Sequence, residues 1–209
     1  AKAFKSIILL IVLVISISAC TTTKVISSWK ADYIPDNVMD KVIVLGIMGN
    51  REQIDQNEQA MVQHLKNEGI NAATATSVFG PKGFKGLSED EITEKLRGSE
   101  FTSIMMLSLL DKEREKNYFP GSRYTVPRVV GYSRYYRRYL VVNDYVYTPG
   151  YYTSSTNYIL EAEIYSIDDG ELVYSAQTRS YDPANIHALA ESFAKSIVSE
   201  LNEKGIIRK

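Results

Sequence analysis

The sequence predicts an α/β fold: a single mixed sheet in the order β-α-β-α-β-β-β-α, with helices packed on it and a long tyrosine- and arginine-rich insertion. Three observations predict it. Lys41-Val42-Ile43-Val44-Leu45-Gly46-Ile47 is a continuous apolar run, which suits a strand buried on both faces. Stretches of helical periodicity, opened by capping residues and closed by glycine, alternate with further apolar runs. Asp168-Asp169-Gly170 separates two segments of strand-like alternation and reads as a hairpin turn.

The chain begins with a targeting pattern. Lys2 and Lys5 precede an uncharged apolar run from Ile7 to Ser18, and small residues then lead to Cys20, as in a secretory signal peptide. The run is about a dozen residues, whereas a helix needs roughly 20 to cross ~30 Å of hydrocarbon. An ordinary signal ends in a small-x-small site, but bulky Ile17 stands three residues before Cys20. Ile17-Ser18-Ala19-Cys20 resembles the bacterial lipoprotein box: an aliphatic residue, two small residues, then cysteine. The resemblance implies a diacylglycerylated Cys20, cleavage between Ala19 and Cys20, and acylation of the freed amine by a fatty acid such as palmitate. A thiol suits this chemistry because the thiolate is a strong nucleophile. Cys20 is the only cysteine, so no internal disulfide can form. The alternative is a free or buried cysteine at the end of a transmembrane helix. Two or three acyl chains anchor stably, at ~0.8 kcal/mol per buried CH₂. Thr21 and Thr22 stand where an aspartate would resemble an inner-membrane retention signal, and no acidic cluster resembling a surface-export signal follows. The expected setting is therefore the outer membrane, facing the periplasm. Ala1 is not methionine, so the sequence is expected to lack its initiator.

Residues 1–19 are thus expected to be signal peptide, 20–40 a lipidated tether, and 41–209 a single α/β domain with an insertion at 116–155. Val25-Ile26-Ser27-Ser28-Trp29-Lys30 reads either as a first strand or as a docking segment. Trp29 is expected to plug the core edge, with ligand stacking as the alternative. After the strand at 41–47, Asn50 is the expected N-cap of a helix to Glu68, with Ile54, Glu58, Met61, Val62 and Leu65 on one face and Gly69 as the stop. Residues 70–78 read as a second strand. Gly80-Pro81-Lys82-Gly83-Phe84-Lys85-Gly86 is a loop that fails the G-x-x-x-x-G-K-[ST] phosphate pattern. Ser88-Glu89-Asp90-Glu91 is a capping box opening a helix to Arg97, so its acids are assigned to the cap. Residues 102–110, 156–167 and 171–181 read as strands. Leu160, Ala162 and Ile164 lie on one face, with Glu161 and Glu163 on the other. Asp182-Pro183 reads as N-cap and first position of a last helix carrying Ile186, Leu189, Phe193, Ile197 and Leu201. The first strands should pair in parallel, and the terminal hairpin should add antiparallel strands.

Cys20, Ser28-Trp29-Lys30, the strand at 41–47, Arg51 and Glu58, and the run from Tyr165 through Asp168-Asp169-Gly170 to Tyr174 resemble a family of bacterial envelope lipoproteins of unknown function. Their domain is similar to the periplasmic part of the curli secretion pore and to the N-terminal domain of TolB. The family often has tryptophan where Tyr174 stands. The resemblance implies a fold and an envelope setting, and carries over no catalytic residue.

The insertion is chemically distinct. Between Asn117 and Tyr158, Arg123, Arg128, Arg134, Arg137 and Arg138 face one acid, Asp144, giving a local charge of +4 in a chain of net −1. Eleven of the 15 tyrosines lie there too. A structureless loop this long is uncommon in a compact domain, and residues 140–147 read as a short hairpin. The named candidates for partner binding are Arg123, Arg128, Arg134, Tyr135, Tyr136, Arg137, Arg138 and Tyr139. Tyrosine supplies flat contact area at small entropy cost, and arginine pairs bidentately with phosphate or carboxylate. The pattern also suits nucleic-acid stacking, but the compartment argues against nucleic acid. An envelope protein or an anionic glycolipid is the expected partner, beside the membrane itself; a solvated extension or a pad on the chain's own sheet is the competing reading.

No catalytic constellation is visible, so a non-enzymatic binding or assembly module is expected, with an envelope hydrolase or a small-ligand- or glycan-binding protein as the alternative. His64 and His187 lack a metal-spaced neighbour, and G-x-S-x-G is absent, so no metal or cofactor is expected. Glu161 and Glu163 point the same way on a strand, about 7 Å apart, a spacing that suits paired carboxylates, although period-two charges on an exposed strand face ordinarily serve solvation. A general-base role would require His64 or His187 to meet them.

Overall fold

The computed structural model describes residues 23–84, 86–133 and 138–208. The chain divides into two units, Glu113–Thr156 and the remainder. The larger unit is built on a six-stranded mixed sheet with four helices packed against it. Its centre is the apolar run. In β2 (Lys41–Ile47), Val42 and Val44 face one side and Ile43 the other, and all three are fully buried. β3 (Asn71–Thr74) pairs with β2 in parallel, and β4 (Ser103–Phe119) pairs in parallel on its other side. β7 (Tyr151–Ser166) and β8 (Leu172–Tyr181) form the antiparallel hairpin, and β1 (Thr23–Lys30) closes the order β1-β8-β7-β4-β2-β3.

Helices α1 (Arg51–Asn67) and α4 (Ile186–Glu203) cover one face. Met61, Leu65, Phe193, Ile197 and Leu201 meet Val42, Val44, Leu160, Ala162 and Ile164 there. The other face has a smaller cluster, in which Ala75 of α2 (Ala75–Phe79) and Leu96 of α3 (Glu89–Arg97) pack with Ile43, Ile104 and Ile167. Both capping boxes are formed. Asn50 and Gln53 exchange bonds at the start of α1, and Ser88 and Glu91 do so at the start of α3. The hydrogen bonds of Ser88 hold the Glu91 carboxyl below the usual range. Gly170, at φ 78°, closes the β7–β8 turn, where the Glu171 N–H lowers the Asp169 carboxyl.

The expected order β-α-β-α-β-β-β-α is present, and four elements are added to it: β1, α2, and the hairpin β5 (Ser122–Ser133) with β6 (Arg138–Thr148). Within residues 20–40, expected as tether, Thr23–Lys30 is a strand, which resolves the choice left open there. Four expectations need correction. Residues 140–147 are not a hairpin in themselves: they lie within the single strand β6, whose antiparallel partner is β5. Trp29 does not plug the core: it pairs with Ser175, on the sheet face opposite α1 and α4, and is 51% exposed. The strand expected at 70–78 ends at Thr74, because the Thr74 side chain accepts from Ser77 N and turns the chain into α2. The last helix is capped by Asn185, whose side chain accepts from Ala188 N at 2.8 Å, and not by Asp182, which sits at φ 41°.

Candidate functional site

The Glu113–Thr156 unit is a ribbon. β5 and β6 pair antiparallel from Ser122↔Thr148 to Ser133↔Arg138, with a register shift between Val129 and Gly131. Tyr124 and Val146 share one face; Arg123, Thr125, Tyr145 and Tyr147 share the other. At its base two Pro-Gly pairs approach each other. A Cβ on Gly121 would overlap the Thr148 carbonyl oxygen, and one on Gly150 would overlap the Tyr118 hydroxyl. Only glycine permits this approach. It sets Tyr118 against Tyr152, centroids 4.8 Å apart, and Phe119 in a stack on Tyr151 at 5.3 Å.

The described side chains of this unit include none that is buried. Seven large aromatics are exposed: Tyr118, Phe119, Tyr124, Tyr145, Tyr147, Tyr151 and Tyr152. Arg123 lies over the Tyr145 ring, 6.0 Å from its centroid. Of the sequence candidates, Arg123 is thus an exposed neighbour of an aromatic. Arg128 is placed in β5 opposite Val142, Tyr139 in β6 opposite Tyr132, and Arg138 opposite Ser133, by backbone register alone. Arg134, Tyr135, Tyr136 and Arg137 lie outside the described residues, as do Ala19 and Cys20. Sequence reasoning did not name the seven exposed aromatics individually. The signal was the pair Pro120-Gly121 and Pro149-Gly150, each flanked by aromatic residues.

The expected catalytic candidates do not converge. His64 Nε2 meets Glu191 at 3.1 Å, and His187 Nδ1 meets Gln56 at 3.2 Å, both between α1 and α4. Glu161 and Glu163 project from the opposite face of the sheet, since they alternate with buried Leu160, Ala162 and Ile164. Glu161 accepts hydrogen bonds from Ser175 Oγ at 3.3 Å and Gln177 Nε2 at 3.1 Å. Partial burial raises the Glu163 carboxyl, the neighbouring Glu161 raises it further, and the Tyr165 hydroxyl offsets part of this. The glycine loop is used structurally: Lys95 donates to Gly83 O and covers Phe79 and Phe84, and Arg51 donates to Pro81 O. Among the described residues no group of three His, Cys, Asp or Glu side chains is placed to hold a metal, and no helix is long and apolar enough to cross a membrane.

One buried acid belongs to the fold. Glu58, 1% exposed in α1, accepts from Gly46 N at 3.0 Å and from Thr76 N at 3.4 Å. Burial raises its carboxyl above the ordinary value.

No family model matches the chain, and no curated protein matches it. Among solved structures it is similar to the PelC dodecamer from Paraburkholderia phytofirmans, at 11% identity over 84% of this chain and 95% of that one, with a TM-score of 0.45. It is also similar to lipoprotein GNA1162 from Neisseria meningitidis, at 10% identity over 78% of this chain and 98% of that one, with a TM-score of 0.41.

Proposed function

We propose that this protein is a non-enzymatic lipoprotein of the bacterial cell envelope, anchored through acylated Cys20, facing the periplasm from the outer membrane, and serving as a binding or assembly module. The observation that carries the binding reading is the ribbon: seven exposed aromatic side chains in a segment of net charge +4, with no buried residue among its described side chains. A segment whose aromatics are not used in a core is a surface for something else, and aromatics with arginine are the types enriched where binding energy concentrates. The leader pattern ending at Cys20 supports the anchor and the compartment. A hydrolase is the less favoured reading, because the histidines and the Glu161–Glu163 pair lie on opposite sides of the sheet.

Two experiments test this. Intact-mass measurement of membrane-extracted protein should show loss of residues 1–19 and added lipid; an unmodified Cys20 in a water-soluble mature chain sinks the anchor. Deleting residues 120–152 behind a short Gly-Ser link should abolish crosslinked envelope partners while the larger unit keeps its melting transition. Retention of every crosslinked partner and of anionic-lipid binding removes the ribbon from the site, and hydrolase activity lost in Glu161→Gln would replace the module by an enzyme.

A further inference from the structure

Covalent geometry limits how far Cys20 can lie from the sheet. Only Thr21 and Thr22 separate Cys20 from Thr23, so three Cα–Cα steps, at most about 11 Å, link the acylated residue to β1. β1 does not lengthen this link by peeling freely. Thr23 is 3% exposed; its Oγ1 meets Ser180 Oγ at 2.6 Å and Ser192 Oγ at 2.7 Å, and its carbonyl accepts from Ser196 Oγ at 3.3 Å.

The strand register shows what else lies at this end of the sheet. Thr23 pairs with Ser180, and Ser180 with Tyr158, so the three form one row across β1, β8 and β7. At ~4.8 Å per strand, Tyr158 is about 10 Å from Thr23. β4 runs toward the same end, because its start lies beside the end of β7, where Ile167 N donates to Thr102 O at 3.0 Å. Lys112 and Asn157, where the chain leaves and re-enters the larger unit, therefore both belong to the Thr23 end of its sheet.

Charge completes the argument. Residues 113–156 hold seven Lys and Arg against three acids, a net +4, and the rest of the chain from Cys20 onward is net −7. An anionic surface repels the second and attracts the first. Tyrosine rings, apolar in body and polar at the tip, settle at the headgroup level of a bilayer.

We propose that the Glu113–Thr156 ribbon is a second membrane contact, binding the anionic headgroup surface of the bilayer that carries the acyl anchor. The proposal rests on the anchor at Cys20 and deepens the binding reading by naming the ribbon's partner. Acyl chains hold the protein to any bilayer; the ribbon makes the attachment sensitive to headgroup charge. An arginine near an anionic leaflet strengthens binding about fivefold.

The test uses residues 20–209 carrying Cys20→Ser, which has no acyl chain, in co-sedimentation with vesicles of phosphatidylcholine alone or with about 30 mol% phosphatidylglycerol. The expected result is binding to the anionic vesicles only, weakening more than tenfold between about 0.05 and 0.5 M salt as screening shortens. Replacing Arg123, Arg128, Arg134, Arg137 and Arg138 by glutamine should lower it by about 100-fold or more. Tyr145→Ser with Tyr147→Ser should lower it while leaving the salt dependence unchanged. No sedimentation, equal binding to both vesicles, or full binding by the five-glutamine variant overturns the proposal. So does self-association of the chain that is lost in that variant without any vesicle binding, which assigns the ribbon to a second copy. If the five-glutamine variant does not fold, the salt series and the vesicle comparison on the arginine-containing chain decide alone. Intact mass of the native protein tests the anchor separately, so failure of the ribbon and failure of the anchor are distinguishable.

Discussion

Replacing Glu58 by glutamine separates two roles of one buried carboxylate. Its oxygens accept from Gly46 N at 3.0 Å and Thr76 N at 3.4 Å, tying β2 and the start of α2 to α1. Burial raises its carboxyl from the ordinary 4.5, the two N–H donors and the Thr76 side chain act against that rise, and Asp55 adds to it. The folded protein therefore binds this proton more tightly than the unfolded chain does. The stability contributed by the group is fully present below the unfolded value and is lost as pH rises through the folded value, by about 1.4 kcal/mol per pH unit between the two. Glutamine keeps the shape and one acceptor but does not titrate. In urea unfolding at pH steps from about 4 to 8, the stability of Glu58→Gln relative to the unsubstituted protein should climb with pH across that window and then level. Glu58→Ala leaves two buried N–H groups unpaired, at ~1–3 kcal/mol each, and opens a cavity, so it should cost about 3–5 kcal/mol at about pH 4 and less as pH rises through the folded value. Parallel pH profiles for Glu58→Gln and the unsubstituted protein, or an alanine cost below about 1 kcal/mol at about pH 4, would refute the reasoning.

Other outcomes follow from single contacts. Tyr174 is fully buried and its hydroxyl has no partner among the described residues, so Tyr174→Phe should raise stability by up to about 1 kcal/mol; a loss above about 2 kcal/mol contradicts this. Phe193 is fully buried between α4 and the sheet, and Phe193→Ala should cost about 3–5 kcal/mol in chemical denaturation. Thr23→Val removes the hydroxyl shared by Ser180 and Ser192, and should cost about 1–3 kcal/mol and speed hydrogen exchange at the start of β1. Gly121→Val drives a side chain into the Thr148 carbonyl and should disturb the ribbon's near-ultraviolet tyrosine signal while the melting of the larger unit stays unchanged.

The parts of the fold that were readable in the sequence are those where one local signal and the tertiary context agree. Val42-Ile43-Val44 has no polar face and lies inside the sheet; Ser88 and Glu91 make the bonds their spacing predicts; Gly170 takes the left-handed turn. Where local signals compete, tertiary context decides the element. Ala75-Thr76-Ser77-Val78 has strand-like composition, yet one hydroxyl, that of Thr74, starts a helix there. Trp29 is the type that fills cores, but a register shift between Val25 and Ser27 turns its side of β1 away from α4. The surface was legible as composition and not as geometry. Residues 116–155 are marked by charge and tyrosine content, but pairing of β5 with β6 depends on which residues meet across the ribbon, which composition does not encode. Glu58 was placed on the correct helix face, and its burial is explained only by the two N–H groups that converge on it.

The clamp on Thr23 also orders events in time. Its partners lie 157 and 169 positions further along the chain, and Ser196, which bonds its carbonyl, lies 173 positions away. A chain that emerges from its amino end first has nothing with which to seat β1 until β8 and much of α4 have followed. The central strands and α1 can associate earlier, because their contacts span far shorter separations. β1 is therefore made before every partner that holds Thr23 and is fixed only after them. The seating of one edge strand therefore reports that the sheet and the helix beside it are already in place.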